Sequence, residues 1–374
     1  KKVLLIAYVF HILFYGIIVL ASTFDQFVIA SIIWAIAFAQ ESGALEAWFD
    51  NSYKITSKNS DNDREIYGVF QGKKLGIYQA INAIFFVVGG IISQQFSRQT
   101  LFILNIGVLA IVFLSIFFLI YSPNTWNETE STNEEKVDQD DETSFVQTLL
   151  EGIRFATYDK RNGYYFLGQA ILFATGTVWY LLFLFPYYNS YSGGRDDITG
   201  VLRSILFLIG IVWAFIAARL SKSIKNLPKW IIISSLMIDS VFLFVNYIYY
   251  ILVPPTSQFE LLPFVGVILI FNTTCGLFIA LFIVILGKYE LDYFPDNLRN
   301  SLLSFRASIA TAFAFPLQVF AGWVVVNYNF GTGILVLALI SVVGIFVLSL
   351  SFRYPLGEYQ SHKERLATYV TPKG

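Results

Sequence analysis

The chain alternates long apolar runs with short polar connections. Ten runs of about 20 residues are present, and a helix of that length crosses the ~30 Å hydrocarbon core of a bilayer at about 1.5 Å per residue. The pattern therefore predicts an all-α polytopic membrane protein with about ten transmembrane helices. The approximate limits of the runs are 3–21, 26–48, 75–97, 100–121, 163–187, 199–218, 230–252, 262–286, 301–326 and 331–352.

The composition agrees with a membrane protein and excludes several other classes. The 374 residues are 56% hydrophobic and 14% charged, whereas soluble domains carry about 25% charged residues. The single cysteine, Cys275, and the two histidines, His11 and His362, exclude a disulfide framework and a zinc cluster. The sequence holds no P-loop, Gly-x-Ser-x-Gly or His-Glu-x-x-His motif. We therefore expect no enzyme activity, no cofactor and no nucleic-acid partner.

Lysine and arginine are distributed unevenly between the two sets of connections. Of the 25 Lys and Arg residues, Arg98 and Arg195 lie in one set, Arg203 and Arg306 lie inside apolar runs, and all the others lie in the second set. Basic residues concentrate in cytoplasmic loops of membrane proteins. The pattern predicts a multi-pass protein of the cell membrane with both termini in the cytoplasm.

One polar stretch divides the chain into a part with four runs and a part with six. "SPNTWNETESTNEEKVDQDDETSF", residues 122–145, is acidic and without apolar periodicity, which is typical of a flexible linker. "FVQTLLEGIRFATY", Phe145–Tyr158, has apolar residues at helical spacing and is expected to lie along the membrane face. The predicted organisation is a first bundle at 1–121, a cytoplasmic linker with an amphipathic helix at 122–161, a second bundle at 162–352 and a cytoplasmic tail at 353–374.

Three stretches carry a resemblance to a known family. "SGALEAWFD", residues 42–50, is similar to the S-G-A-x-E-A-x-x-x-D signature that some prokaryotic members of the major facilitator superfamily carry at the end of span four, with Asp50 one place early. "DYFPDNLRNSLLSFRASIA", residues 292–310, resembles the family's loop leading into span eleven. "PKWIII", at residues 228–233, corresponds in position to "KKVLLI" at the start of the chain.

The resemblance implies two bundles of six helices around a central cavity, with a solute bound near the midplane. If the two halves are repeats, this chain covers spans three to twelve and two further spans precede Lys1. The resemblance also implies a secondary active transporter, a monomer in membrane lipid, that moves a small solute by alternating access with protons as the candidate coupling ion. The alternative is a non-transporting membrane protein of the same fold, such as a receptor or a decayed paralogue.

Three carboxylates near the end of the second run are candidate functional groups. A carboxylate inside a membrane is costly, so it normally faces a cavity or a partner. Glu41 is the deepest and Glu46 lies near the inner surface, and both are candidates for solute or proton binding. For Glu41 the alternative is helix packing with a hydrogen-bonded neutral carboxyl. Glu46 and Asp50 have the alternative of ion pairs with basic loops.

Other polar residues within the runs either line the cavity or form hydrogen bonds between helices. Snorkelling to the membrane surface is the favoured interpretation for Arg203 and Arg306, and an anionic solute follows if both instead bind a ligand. The uncharged candidates for solute binding are Gln79, Asn82, Gln169, Asn272 and Gln318, with Gln79 and Asn82 sharing one helix face. The candidates for a cytoplasmic gate of ion pairs are Asp50, Lys73, Lys74, Arg299 and Arg306.

Overall fold

The regular structure of the described residues is helical. A computed structural model describes residues 2–57, 65–119, 145–255, 263–295 and 298–354. Three helices contain a π-helical segment, at Trp179–Phe183, Leu236–Val241 and Phe264–Leu269. The helices are α1 (Lys2–Leu20), α2 (Phe24–Ser57), α3 (Glu65–Gln95), α4 (Arg98–Leu119), α5 (Phe145–Tyr158), α6 (Lys160–Tyr191), α7 (Asp196–Ser223), α8 (Leu227–Leu252), α9 (the π segment Phe264–Leu269 with Ile270–Tyr293), α10 (Arg299–Asn327) and α11 (Phe330–Ser351).

Eight helices in the described part of the chain are long and apolar enough to cross a membrane. Two shorter apolar helical runs are Leu4–Leu20 and Asp25–Phe38. The all-α polytopic class predicted from the sequence is therefore confirmed, while the count of ten spans stays a prediction.

Several helices extend beyond the apolar runs from which they were predicted. The third run was placed at 75–97, but α3 begins ten residues earlier, at Glu65. The added residues include Gln71, Lys73 and Lys74, which are compatible with a helix although they lower the hydropathy. Apolar runs mark where a chain crosses the bilayer, whereas the backbone hydrogen bonds of a helix continue into water.

Local sequence signals set several helix boundaries in the second half. Asp159, Asn226 and Asn329 each accept a hydrogen bond from a backbone N–H in the first turn of the helix that follows. Gly193 and Gly194 have φ of 66° and 77°, a left-handed conformation that glycine adopts without a Cβ clash. This turn between α6 and α7 places Asp196 as the first residue of α7.

The helices pack into two groups. In the first group α1 contacts α2 and α4, and α3 contacts α4. In the second group α6 contacts α10 and α11, while α9 contacts α7 and α8. Helix α5 joins the second group, where Phe155 and Ala156 are buried in a cluster with Tyr165 and Phe166. The amphipathic segment after the linker is thus a helix whose apolar side packs on the second bundle.

The two bundles meet along α3 and α7 and along α2 and α10. We call the first of these contacts the α3–α7 seam. It is close because small residues face backbone: a Cβ added to Gly200 would lie 2.4 Å from the Phe86 carbonyl oxygen, and one on Gly72 would lie 2.4 Å from Ala218 Cβ. Small residues permit this kind of close helix approach in membranes. Most basic connections lie at one end of the bundles, which we call the inner end, and the opposite end is the outer end. The seam runs from the inner end to the outer end.

Candidate functional site

A cavity of about 950 Å³ lies between the two bundles. Residues from α2, α3, α6, α8, α9 and α10 line it, so both bundles contribute walls. Its polar lining consists of Tyr67, Gln71, Lys74, Tyr78, Thr177, Tyr180, Asp239, Glu290, Arg299 and Arg306. A volume of this size accommodates a small organic solute.

The cavity extends from the inner end of the bundles to about half their height. Tyr67 lies in the first turn of α3, Glu290 lies in the last turn of α9, and Arg299 is the first residue of α10. Asp239 lies at the midpoint of α8. The cavity therefore reaches from the inner end of the bundles to about the midpoint of α8.

Aromatic side chains form much of the apolar wall. The rings of Trp34 and Phe38 on α2 are stacked with centroids 5.3 Å apart. Phe173 on α6 and Phe282 on α9 approach to 6.3 Å. All four residues line the cavity. Such walls suit the apolar body of a solute, while the few polar groups fix its orientation.

Asp239 is the deepest charged group of the cavity, and the sequence analysis missed it. Among the described residues no group forms a hydrogen bond or ion pair with its side chain. Gly176 faces it from α6, since a Cβ added there would lie 3.9 Å from Asp239 Oδ1. Asp239 belongs to the π segment Leu236–Val241, and π segments are frequent at functional sites. The sequence signal was a lone acid in an apolar run, which should count as functional by default.

A buried ion pair forms the next polar layer of the cavity. Arg306 on α10 pairs with Glu290 on α9, and their side chains are 15% and 5% exposed. Tyr165 donates a hydrogen bond of 2.7 Å to the same Glu290 oxygen. The guanidinium of Arg306 also lies 5.2 Å from the centre of the Phe173 ring. Arg306 is therefore held in the protein interior, which differs from the snorkelling favoured from the sequence.

The other predicted gate residues are divided between the cavity and the surface. Lys74 and Arg299 line the cavity near its inner end. Lys73 instead lines a separate groove between α3 and α7, because consecutive residues of a helix point about 100° apart. The side chains of Glu46 and Asp50 lie outside the described part of the structure, so their predicted roles stay predictions.

Glu41 is held inside the first bundle. His11 Nε2 lies 2.8 Å from one of its carboxylate oxygens, and the Tyr8 hydroxyl donates to the other at 3.2 Å. Both partners lie on α1, and Glu41 is not among the cavity-lining residues. This arrangement corresponds to the hydrogen-bonded packing considered as the alternative for Glu41. His11 had been considered only as a metal ligand, and its spacing from Glu41 gave no signal of this contact.

The predicted cavity pair on α3 does not line the cavity. Gln79 packs in the α3–α7 seam, where a Cβ on Gly210 would lie 3.0 Å from Gln79 Cδ. Asn82 donates a 2.8 Å hydrogen bond to the Tyr78 carbonyl of its own helix. The structure therefore places neither residue of this pair in the cavity lining. The cavity face of α3 instead carries Tyr67, Gln71, Lys74, Leu75 and Tyr78.

The three remaining uncharged candidates also lie away from the cavity lining. Asn272 donates to the Tyr188 hydroxyl at 2.8 Å and exchanges hydrogen bonds with Asn246, so it joins α6, α8 and α9. Gln169 is fully buried, and neither of its side-chain polar atoms has a hydrogen-bond partner among the described residues. Gln318 is partly buried on α10. Of the three, Asn272 forms the hydrogen bonds between helices that were the alternative to a cavity lining.

The outer end of the α3–α7 seam is closed by a polar cluster around Asp196. Arg98 donates to both carboxylate oxygens, at 2.9 and 2.8 Å, and the Ser93 hydroxyl donates at 2.6 Å. The Asp196 backbone N–H donates to Gln94 Oε1 at 3.0 Å. Asp196 belongs to the second bundle and its partners belong to the first. The cluster therefore joins the bundles at the outer end, opposite the inner end to which the cavity extends.

Arg203 strengthens the same contact between the bundles. It is 8% exposed, and its guanidinium lies 3.9 Å from the centre of the Phe86 ring on α3 and 5.4 Å from that of Tyr180. Cation–π contacts of this kind are strongest where water is excluded. Arg203 is thus buried in the seam. This position differs from the snorkelling to the membrane surface that the sequence favoured.

Comparison with known proteins identifies the family. A family model described as Major Facilitator Superfamily matches residues 1–256, and a search of the curated proteins found no match. The matched region is more than half of the 374 residues, and the all-helical structure agrees with it. The family predicted from the sequence is confirmed, and its members are transporters of small solutes across lipid membranes. The chain belongs to the major facilitator superfamily and is a membrane transporter of the major facilitator type.

Proposed function

We propose that this protein is a secondary transporter that carries its solute through the cavity by alternating access. The observation that supports this most is that the cavity reaches one end of the bundles while the Asp196 cluster closes the other end. A solute at the level of Asp239 could exchange with the inner side in this arrangement. Breaking the outer cluster and closing the inner end would expose the same site to the opposite side.

The charged groups at the closed end support this proposal. The Asp196 cluster connects α3 and α4 of the first bundle with α7 of the second. A contact formed in one state only shifts the equilibrium towards that state by its own free energy. The cluster therefore favours the inward-facing arrangement, and its loss should populate the outward-facing one.

Asp239 is the proposed coupling residue. A carboxylate at mid-membrane depth without a partner is more stable when it binds a proton or a positively charged group. In alternating access it would be exposed to each side in turn and would exchange its proton there. Glu41 is the competing candidate from the sequence, but its hydrogen bonds with His11 and Tyr8 hold it outside the cavity lining.

Cysteine labelling tests alternating access without knowledge of the solute. The chain has a single cysteine, Cys275, so a C275A background carrying Thr177→Cys places one thiol in the cavity. Vesicles of both orientations are treated with a membrane-impermeant maleimide. We expect labelling from the inner side, and labelling from the outer side that rises several-fold when Asp196→Asn is added.

The matched control is Asp197→Asn. Asp197 follows Asp196 directly and pairs with Arg195 at 2.6 Å, but both residues belong to the same end of α7 and do not join the bundles. This control should leave the labelling pattern unchanged. Labelling of Thr177→Cys from the inner side alone, with and without Asp196→Asn, would contradict alternating access and favour a non-transporting protein of this fold.

Proton coupling is tested by comparing Asp239→Asn with Glu41→Gln. Proteoliposomes containing a pH-sensitive dye are exposed to a panel of amines, sugars and carboxylates until one solute changes the internal pH with the wild-type protein. We expect Asp239→Asn to abolish this proton movement and Glu41→Gln to retain it. The reverse result would assign the coupling to Glu41.

A further inference from the structure

A second depression, outside the cavity, lies on the surface of the α3–α7 seam at its inner end. It has a volume of about 510 Å³. Three basic residues, Lys73, Arg219 and Lys222, line it together with apolar side chains, and none of the described residues that line it is acidic. Most of the basic connections lie at this end of the bundles, which the sequence predicts to be cytoplasmic.

Along α7 the basic residues of the groove lie nearer the inner end of the bundles than the apolar ones. Phe215, Arg219 and Lys222 are spaced i, i+4 and i+7, so they share one face of α7. Val69 and Lys73 are spaced i and i+4 and share a face of α3, where Lys73 is about 6 Å farther from the inner end than Val69. Lys222 lies in the last turn of α7, and Phe215 lies about 10 Å deeper at 1.5 Å per residue. On α7 the positive charges therefore lie at the level of lipid headgroups and the aromatic ring at the level of acyl chains.

The floor of the groove is closed by direct helix contact. A Cβ added to Gly72 would lie 2.4 Å from Ala218 Cβ and 3.0 Å from the Ala214 carbonyl oxygen. At Gly72 the seam therefore leaves no space for a side chain between the two helices. Phe215 is 52% exposed beside this contact, so its ring faces outwards from the bundles, where the lipid lies.

We propose that an anionic phospholipid binds in this groove. Its phosphate lies among Lys73, Arg219 and Lys222, and an acyl chain lies on Phe215 and Ile216, which are deeper on α7 than Arg219 and Lys222. Basic pockets between transmembrane helices bind anionic headgroups, and each Lys or Arg near the surface adds to the attraction. The apolar part of the groove at acyl-chain depth favours a lipid over a free anion, which would gain nothing from that part.

A lipid bound here would join the two bundles. Lys73 belongs to the first bundle, and Arg219 and Lys222 belong to the second. One phosphate contacting all three would add an attractive contact across the inner end of the α3–α7 seam. Anionic lipid would thereby bias the equilibrium between arrangements that differ at this seam. The site is distinct from the solute cavity and does not depend on the proposed transport mechanism.

Lipid titration of the purified protein tests the site. The purified protein in neutral detergent is titrated with phosphatidylglycerol or phosphatidylcholine, and bound lipid is counted by native mass spectrometry. We expect a tightly bound phosphatidylglycerol whose affinity falls at least tenfold in K73Q/R219Q/K222Q. The matched control, K225Q/K229Q/R353Q, removes the same charge from exposed positions that do not line the groove, and its affinity should stay within about twofold of the wild-type value.

Three outcomes would overturn the proposal. Equal losses in both triple variants would mean that general surface charge attracts the lipid. Equal binding of phosphatidylcholine would show that the basic residues do not select the headgroup. Displacement of the lipid by millimolar inorganic phosphate would mean that the groove is a site for free anions. Thermal unfolding of each variant without added lipid checks that the exposed substitutions leave the fold intact.

Discussion

Asp196 at the outer end of the α3–α7 seam and Asp239 in the cavity are both carboxylates between packed helices, but they differ in their partners. Asp196 accepts hydrogen bonds from Arg98 and Ser93, whereas Asp239 has no such partner among the described residues. Burying a carboxylate costs several kcal/mol unless it is paired. Where the protein provides partners, the charge holds helices together. Where it provides none, the unpaired carboxylate fits the coupling role proposed for Asp239.

The ion pair of Glu290 and Arg306 lies in the cavity wall but is fully partnered, so it extends the comparison into the cavity. Glu290 interacts with Tyr165 as well as Arg306. These groups join α6, α9 and α10 inside the second bundle. The same cavity therefore contains a carboxylate that stabilises the fold and another that does not. Substitution of each should separate effects on stability from effects on transport.

The largest effect on stability is expected for Glu290→Gln. This change leaves the guanidinium of Arg306 buried without its carboxylate, which costs about 3–5 kcal/mol in buried pairs. The midpoint of thermal unfolding in detergent should fall strongly. The double variant E290Q/R306Q removes both charges and should recover much of the loss. A double variant as unstable as the sum of its single variants would show that the pair does not act as a unit.

A smaller effect is expected for Gly200→Ala in the α3–α7 seam. Its new Cβ would lie 2.4 Å from the Phe86 carbonyl oxygen, and overpacking of this kind costs about 1–3 kcal/mol. The matched control is Gly107→Ala on α4, where a Cβ meets no atom within 4 Å. That control should be neutral or stabilise the helix slightly. Equal unfolding temperatures for the two variants would contradict a close seam.

Asp196→Asn should destabilise the protein by about 1 kcal/mol, because charged hydrogen bonds of partly exposed groups contribute modestly. Arg98 is 61% exposed at its side chain, which limits the effect. Asp197→Asn, with its exposed partner Arg195, should not change the unfolding temperature measurably. A loss as large for Asp197→Asn as for Asp196→Asn would show that the two carboxylates are equivalent.

The long helices could be predicted well from the sequence because each contains a continuous run of apolar residues. The family also followed from local stretches such as residues 42–50. The pairing of side chains did not follow, because partners such as Glu290 and Arg306, or His11 and Glu41, meet only through helix packing. Gln79 and Asn82 are three residues apart on α3, but which face of α3 meets the cavity is set by helix packing, and Gln79 packs against Gly210 of α7.

Asp239 shows a different limit of sequence reasoning. Asp239 lies within the apolar run 230–252. One acidic residue hardly lowers the mean hydropathy of that run, so the run was interpreted only as a membrane span. The π segment that contains Asp239, and the facing Gly176, could not be inferred from residue spacing. By contrast, the basic residues of the inner groove were visible as Lys73, Arg219 and Lys222, yet only the packing of α3 on α7 placed them together.

Thermal unfolding of Asp239→Asn, beside the wild-type protein and Glu290→Gln, tests the central claim most directly. If Asp239 has no stabilising partner, its replacement by a neutral amide removes a desolvation cost without breaking a contact. The account predicts an unfolding midpoint equal to or above that of the wild-type protein, while Glu290→Gln unfolds at a clearly lower temperature. A decrease for Asp239→Asn as large as that for Glu290→Gln would show that Asp239 is a structural carboxylate with a partner and would contradict its assignment to the transport site.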